Sequence, residues 1–505
     1  MTRSVSFVLS LLMAVGITQT ASSAASTKAA REEATSAMRA SLVELEVART
    51  AYDYQTPWTR SSANVRKSAL VIGPDEILAT ADAISNATVL RAQRDGRGKW
   101  YEATLLWVDY HANLAVVRVA DPVFWKGLKP VELLAKVSPN DEFRIERWKN
   151  GNMESRKAEF SQVVVKQSKL SIFDFAQMEL TTEMTGGGWG EPLLVGNKLA
   201  GLLSSQTRNT CTITPAPFIR GLLEARKKGR STGMGFFDFT WQPAENPAIH
   251  RRFEFPGEPK GVLVIDGAKL NGQSNLVQKH DILLQIDGFD IDTQGNYLDP
   301  MYGRLLLEGL PTRHHFASDE IPIKLWRGGK MQEVNYKLPE VAFSSKLIPE
   351  QIFDREPEYL ILGGLVFQPL SGPFLRRWQD YWGESSPPFR LNYYKNDPPT
   401  ADRKGLVVIS SVLPDPFNLG YQDHHAPLVI HQVNSKKIST LQDLVEAFEH
   451  PEQGYHVIQF MKSEGIKKLV VEASASSEAT QRVLKRYGIE NDRLLRDNKK
   501  STEKK

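Results

Sequence analysis

A single cysteine, Cys211, stands in a chain of 505 residues. No disulfide can form within the chain, and no CxxC redox pair or cysteine zinc site is available. An excess of one charge is also missing: 63 Lys+Arg face 59 Asp+Glu, a formal net charge of +4. That balance argues neither for nucleic acid nor for an acidic membrane surface as the partner, and no nucleic acid is expected. Beyond the N-terminus no apolar run approaches the roughly 20 residues of a spanning helix. The apolar stretch that does exist follows Arg3, runs from Val5 to Ile17 and ends in small residues through Ser22, Ser23 and Ala24. Positive start, short apolar middle and small-residue exit are the parts of a secretory signal peptide over residues 1–24. The expectation is cleavage near Ala24, a periplasmic or secreted mature protein, and no integral membrane segment after removal. An uncleaved anchor is the alternative.

What is present is enough chain for two to four domains. From Thr27 to about Tyr52 the sequence is rich in Ala, Glu and Arg, punctuated by Leu42, Leu45 and Val47; this predicts an N-terminal helical segment over 25–55. From Ser68 the texture changes to short β-type runs, Ser68–Ile72, Ala103–Val108 and Leu114–Val119, which predict an all-β barrel or sandwich. That domain spans 56–228 and closes with a helix from Pro217 to Lys228.

Two similar blocks follow, 229–345 and 355–475. The first reads Gly233-Met234-Gly235-Phe236, then Gly261–Ile265, then Asp281–Gly288; the second reads Gly363-Gly364-Leu365-Val366, then Gly405–Ile409, then Leu428–Asn434. Each enters a strand through glycines, as an internal repeat at the domain scale does. In the second a helix is expected from Thr440 to Phe448. Residues Leu338 to Glu358 read as a connector, and 476–505 as a helix with a charged tail.

Three segments of the β-domain carry a resemblance. Ile77-Leu-Ala-Thr-Ala-Asp-Ala-Ile84 is similar to I-L-T-N-N-H-V-V, Asp109 to Val119 to D-x-x-x-D-L-A-L-L-K-V, and Gly187-Gly-Trp-Gly-Glu-Pro-Leu193 to G-N-S-G-G-P-L. Their order resembles the HtrA/Deg family, and the C-terminal half resembles its long-tailed plant-type branch. The resemblance implies a mostly β chain: a trypsin-like double β-barrel followed by two PDZ-like α+β domains. It also places Asp82, Asn113 and Trp189 at the triad positions, with Gly187 and Gly188 in the oxyanion loop. An indole cannot be deprotonated to a nucleophile. An aspartate, with a reference pKa of about 3.9 for the residue type, is a poor choice of base for chemistry at neutral pH. The reading is therefore a pseudoprotease.

For the PDZ-like blocks the resemblance implies capture of exposed C-termini or extended segments by strand addition, at Gly233, Met234, Gly235 and Phe236 and at Gly363, Gly364, Leu365 and Val366. A groove closed by the chain itself is the alternative. The expected partners are polypeptide C-termini or unfolded segments of envelope proteins, with an adaptor or chaperone-like role. The resemblance further suggests a homo-oligomer, with a trimer as one form. The competing function is an active serine endopeptidase in envelope protein quality control, using displaced residues such as Ser204, Ser205, His111 or Cys211. No cofactor is implied. His314-His315 and Asp423-His424-His425 lack the i, i+4 spacing of a helical zinc site, so no metal is expected.

Overall fold

The computed structural model describes residues 38–496 apart from 231–232, 341–345, 383–386, 398, 422–426, 463 and 465–466. The expected signal peptide, the stretch through residue 37, Asp423-His424-His425 and the tail from Asp497 lie outside the described residues. The chain divides into two compact units: the first holds residues up to 47, 64–83 and 89–341, and the second holds 48–63, 84–88 and 342 onward.

Two closed barrels make up most of the first unit. One joins β1 (Leu42–Tyr52), β2 (Arg60–Val71), β3 (Ile77–Ala79), β4 (Ala87–Arg94), β5 (Trp100–Asp109) and β6 (Leu114–Val119) in the order β1-β2-β3-β6-β5-β4. The other joins β7 (Phe143–Lys149), β8 (Asn152–Gln167), β9 (Asp174–Thr182), β10 (Pro192–Val195), β11 (Lys198–Thr207) and β12 (Thr210–Pro215) in the order β10-β11-β12-β9-β8-β7. Helix α1 (Ala216–Lys227) follows. Leu70, Leu78 and Leu114 from the first barrel pack with Phe175, Leu194 and Leu202 from the second and with Ile219 of α1 in one shared core.

The helix expected over 25–55 is corrected where it can be seen: Leu42–Tyr52 is a strand. Val43, Leu45 and Val47 are fully buried and alternate with Glu44 and Glu46. That period of two outweighs the helix-forming composition.

The same unit carries a PDZ-like sheet. Its strands are β13 (Thr240–Gln242), β14 (Val262–Asp266), β15 (Ile282–Ile286), β16 (Phe289–Asp290), β19 (Glu320–Arg327) and β20 (Lys330–Lys337), ordered β13-β14-β15-β19-β20 with β16 on β15. Helix α2 (Pro247–Arg252) lies between β13 and β14, and the hairpin β17 (Asn296–Asp299) and β18 (Gly303–Leu306) leads into a 3-10 turn, Leu307–Thr312. Leu307 and Leu310 of that turn pack with Val163, Val165 and Ala176 of the second barrel.

The second unit centres on one sheet of β21 (Tyr359–Leu362), β22 (Leu365–Pro369), β23 (Val407–Val412), β24 (Leu428–Val433), β25 (Lys436–Lys437), β26 (Tyr455–Phe460), β27 (Lys468–Glu472) and β28 (Arg493–Leu494). Its order is β27-β26-β24-β23-β22-β21-β28, with β25 on β24. Helices α3 (Gly372–Trp382), α4 (Phe389–Tyr393), α5 (Leu441–Phe448) and α6 (Ser476–Tyr487) complete it. Helix α5 starts where expected because Thr440 and Asp443 form a reciprocal capping box.

Two boundaries move. The connector from Leu338 to Glu358 is not free chain, since Leu338 is in the core of the first unit and Leu347 and Ile348 are in that of the second. The C-terminal helix is not a separate tail either: Val483 and Leu484 of α6 pack with Tyr359, Ile361 and Val366.

Candidate functional site

The turn after β3 carries Asp82, and the turn between β5 and β6 carries Asn113. Asn113 is 1% exposed and sits at φ +55, a left-handed conformation that asparagine tolerates better than most residues. Its Oδ1 accepts from the Asp82 N–H at 2.8 Å, and its carbonyl accepts from Ala81 N–H at 3.1 Å. Lys169, from the connection between β8 and β9, donates to Asp82 Oδ2 and lies over the Trp189 ring, 4.9 Å from its centroid. The Trp189 carbonyl accepts from Ser68 N–H of β2 at 3.0 Å. The three residues expected at the triad positions are thus linked, Asn113 directly to Asp82 and Asp82 to Trp189 through Lys169. Sequence reasoning did not find Lys169, and only the fold brings it there.

The loop before β10 turns its amides inward. Gly188 at φ +106 and Gly190 at φ +84 make the turns, and a Cβ on Gly190 would lie 2.9 Å from Ser68 O. The amides are already engaged. Gly188 N–H and Trp189 N–H both donate to Glu191 Oε2, at 2.9 and 2.8 Å, and Gly187 N–H donates to Gln206 Oε1 at 2.6 Å. Glu191 is 2% exposed, with Arg147 at 3.7 Å on its other oxygen. A loop of inward amides is an anion site, and here the anion is a side chain of the same loop. Glu191 was visible as a carboxylate in place of a motif glycine, which was the available signal.

Beneath the loop lies Lys67 of β2, 3% exposed. Its ammonium donates to Thr80 O at 2.5 Å and Asp82 O at 2.6 Å. Burial pulls its pKa down to about 7; the Asp82 carboxylate opposes that, Lys169 adds to it, and Glu191 opposes it. A lysine just before the apolar run of β2 was the overlooked sign.

The displaced nucleophile candidates are engaged in other contacts or lie in irregular backbone. Ser204 is 1% exposed and its hydroxyl donates to Thr212 O at 3.1 Å. Ser205 sits at an irregularity in the β11–β12 pairing. The His111 ring packs edge-on against Phe173, 4.8 Å between centroids. Burial first, then the Glu191 charge, push the Cys211 thiol up to about 12, which suppresses the reactive thiolate. His315 Nε2 lies 2.8 Å from Asp287 Oδ2, and no cluster of three or more His, Cys, Asp or Glu suited to a metal occurs among the described residues.

A PDZ-domain family model matches residues 348–494. Protease Do-like 2, chloroplastic, of Arabidopsis thaliana is 25% identical over 466 residues, covering 90% of this chain and 74% of its own. Protease Do-like 4, mitochondrial, of the same organism is 24% identical over 393 residues, covering 76% and 71%. Over most of its length the chain is similar to HtrA/Deg proteases. Among solved structures, the HtrA-type protease AlgW with decapeptide has a TM-score of 0.44 at 13% identity, over 60% of this chain and 95% of that one.

In this HtrA/Deg-like chain the first glycine loop is drawn into its own unit. Met234 is buried in the core shared by the barrels, Phe236 lies 5.7 Å from the Phe173 ring, and Gly235 forms a β-bridge with Glu340. Strand β13 stands at the edge of its sheet. Its Trp241 donates to Glu308 Oε1 at 2.9 Å and packs onto Gly295, where a Cβ would lie 2.2 Å from the ring.

The second loop is a two-residue hairpin turn: Gly363 and Gly364, at φ +56 and +90, join β21 to β22. Gly363 N–H donates to Thr480 Oγ1 at 2.8 Å, and Gly363 O and Leu413 O both accept from Asn418 Nδ2 at 2.8 Å. One side of β22 pairs with β23 and the other with β21. The edge where a peptide strand would add is therefore taken by the chain itself, which corrects the expectation of an open groove at Gly363–Val366.

Proposed function

We propose that this HtrA/Deg-like protein is a pseudoprotease that binds polypeptide rather than cutting it. The observation that carries the reading is the Glu191 carboxylate on the amides of Gly188 and Trp189. An oxyanion site works by offering donors to charge that develops only in the transition state. Donors already bonded to a fixed carboxylate have no such preference. The indole at Trp189 and the carboxylate at Asp82 point the same way. The PDZ match over residues 348–494 supports recognition of extended segments or C-termini, with an adaptor or chaperone-like role. Export to an envelope compartment rests on the signal-peptide pattern of residues 1–24, and assembly as a homo-oligomer on the family resemblance.

The test is incubation of the purified chain with unfolded casein, beside labelling with a serine-reactive fluorophosphonate. Neither turnover nor label is expected. Restoring Asp82→His, Asn113→Asp and Trp189→Ser together should leave the protein inert, and any turnover should need Glu191→Gly as well. Cleavage by the unaltered chain, abolished by Ser204→Ala or Ser205→Ala, would overturn the reading.

A further inference from the structure

The second unit contains a cavity of about 530 Å³, within the usual range for ligand sites. We propose that it binds a polypeptide segment presenting a carboxylate beside an apolar side chain. This rests on the reading that the protein binds polypeptide, and it places the site at the Gln368–Pro369 end of β22 instead of the closed turn at Gly363–Val366.

Two features of the cavity define the ligand. Its walls include the buried side chains of Leu347, Leu370, Leu406 and Leu441, which suit an apolar group. Lys346, Arg355, Lys404 and Arg496 also line it, against Glu358 as the one carboxylate. Glu358 is paired with Arg496 at 3.2 Å and Lys346 lies 3.6 Å from Glu350. Arg355 and Lys404 have no ion-pair partner among the described residues and leave the rim cationic. A carboxylate is the complement of that rim.

Peptide is chosen over a simple fatty acid on the reading that the protein binds polypeptide.

The experiment is fluorescence anisotropy of the full chain with a labelled hexapeptide, AAELVL, as the free acid, as the C-terminal amide, and with its glutamate replaced by glutamine. The unaltered chain should bind the free acid, and Arg355→Glu with Lys404→Glu should weaken binding at least tenfold. Both substitutions are on exposed side chains, so folding should be preserved, and circular dichroism checks this. Loss of binding on amidation assigns the carboxylate to the C-terminus; loss on replacing glutamate assigns it to a side chain, and either supports the proposal. Equal binding by the unaltered chain and the charge-reversed variant overturns the cavity while leaving peptide binding elsewhere. No binding of any peptide by the unaltered chain overturns the peptide reading itself. Binding of dodecanoate in place of peptide overturns the choice of peptide as the ligand.

Discussion

Two glycine turns in this chain solve one problem with opposite chemistry. Around Gly188 the inward amides are held by a buried carboxylate, Glu191, above a buried ammonium, Lys67. Around Gly363 the same kind of polar backbone is held by neutral groups, the Thr480 hydroxyl and the Asn418 carboxamide. Both turns resemble open anion cradles in sequence, and both are filled by the chain's own side chains. The difference is that the first is held by a charged acceptor, with a buried lysine of lowered pKa nearby. The second is held by neutral groups.

The largest expected effect separates them by that property. The ordinary pKa of 10.5 for Lys67 is lowered to about 7 in the folded chain. Below pH 7 both folded and unfolded chains carry the proton, so the contribution is constant. Between pH 7 and 10.5 the unfolded chain holds a proton that the folded chain has lost, so stability rises with pH. At about 1.36 kcal/mol per unit, the whole window is worth at most roughly 5 kcal/mol. Denaturant unfolding of the wild type and of Lys67→Met across pH 6.5 to 10.5 measures it as the difference between the two. A flat difference would mean that Lys67 keeps its proton in the folded chain across this range. Asn418→Ala, in contrast, should leave the alkaline profile of the wild type unchanged.

Glu191→Ala comes next. It strips two amides of a charge-assisted acceptor in a buried site and leaves Arg147 to its remaining partners, Glu154 and the carbonyls of Thr185 and Gly186. Bonds to charged groups are worth about 1.5–3 kcal/mol each, so a loss of about 3 kcal/mol is expected in urea unfolding. A loss under 1 kcal/mol would mean that water serves those amides as well as the carboxylate does, and the site would then be open to an oxyanion.

How much of this was legible follows the range of the interaction. The barrels were readable because strands such as Leu114–Val119 announce themselves by local pattern, and β6 has those limits. The first barrel strand was misread because Ala, Glu and Arg suggested a helix, although the alternation from Val43 to Val47 was in view. Trp189, Asp82 and Asn113 were findable because motif frames surround them. Lys169 was not, since its contact with Asp82 spans 87 positions and no local pattern marks it. Gly363-Gly364 had a sign that was passed over. An apolar run, Tyr359–Leu362, directly precedes the two glycines and another follows, which is the pattern of a hairpin with a two-residue turn.

That hairpin sets the smallest of the three effects. Asn418 is fully buried and its Nδ2 serves Gly363 O and Leu413 O, while its Oδ1 accepts from Asp415 N–H at 3.2 Å. Asn418→Ala leaves two carbonyls and one amide without these partners in a neutral setting, where each bond contributes about 0.5–1.5 kcal/mol. Some of that is recovered by water reaching the space vacated by the side chain. A loss of about 2 kcal/mol is expected, smaller than for Glu191→Ala because no charge is involved. The comparison turns on the order of the two losses. If Asn418→Ala is the more damaging, the closed edge of β22 depends on its turn more than the barrel loop depends on its carboxylate. Opening the edge would then expose β22 to strand addition, and the AAELVL hexapeptide should bind this variant even when Arg355 and Lys404 are reversed.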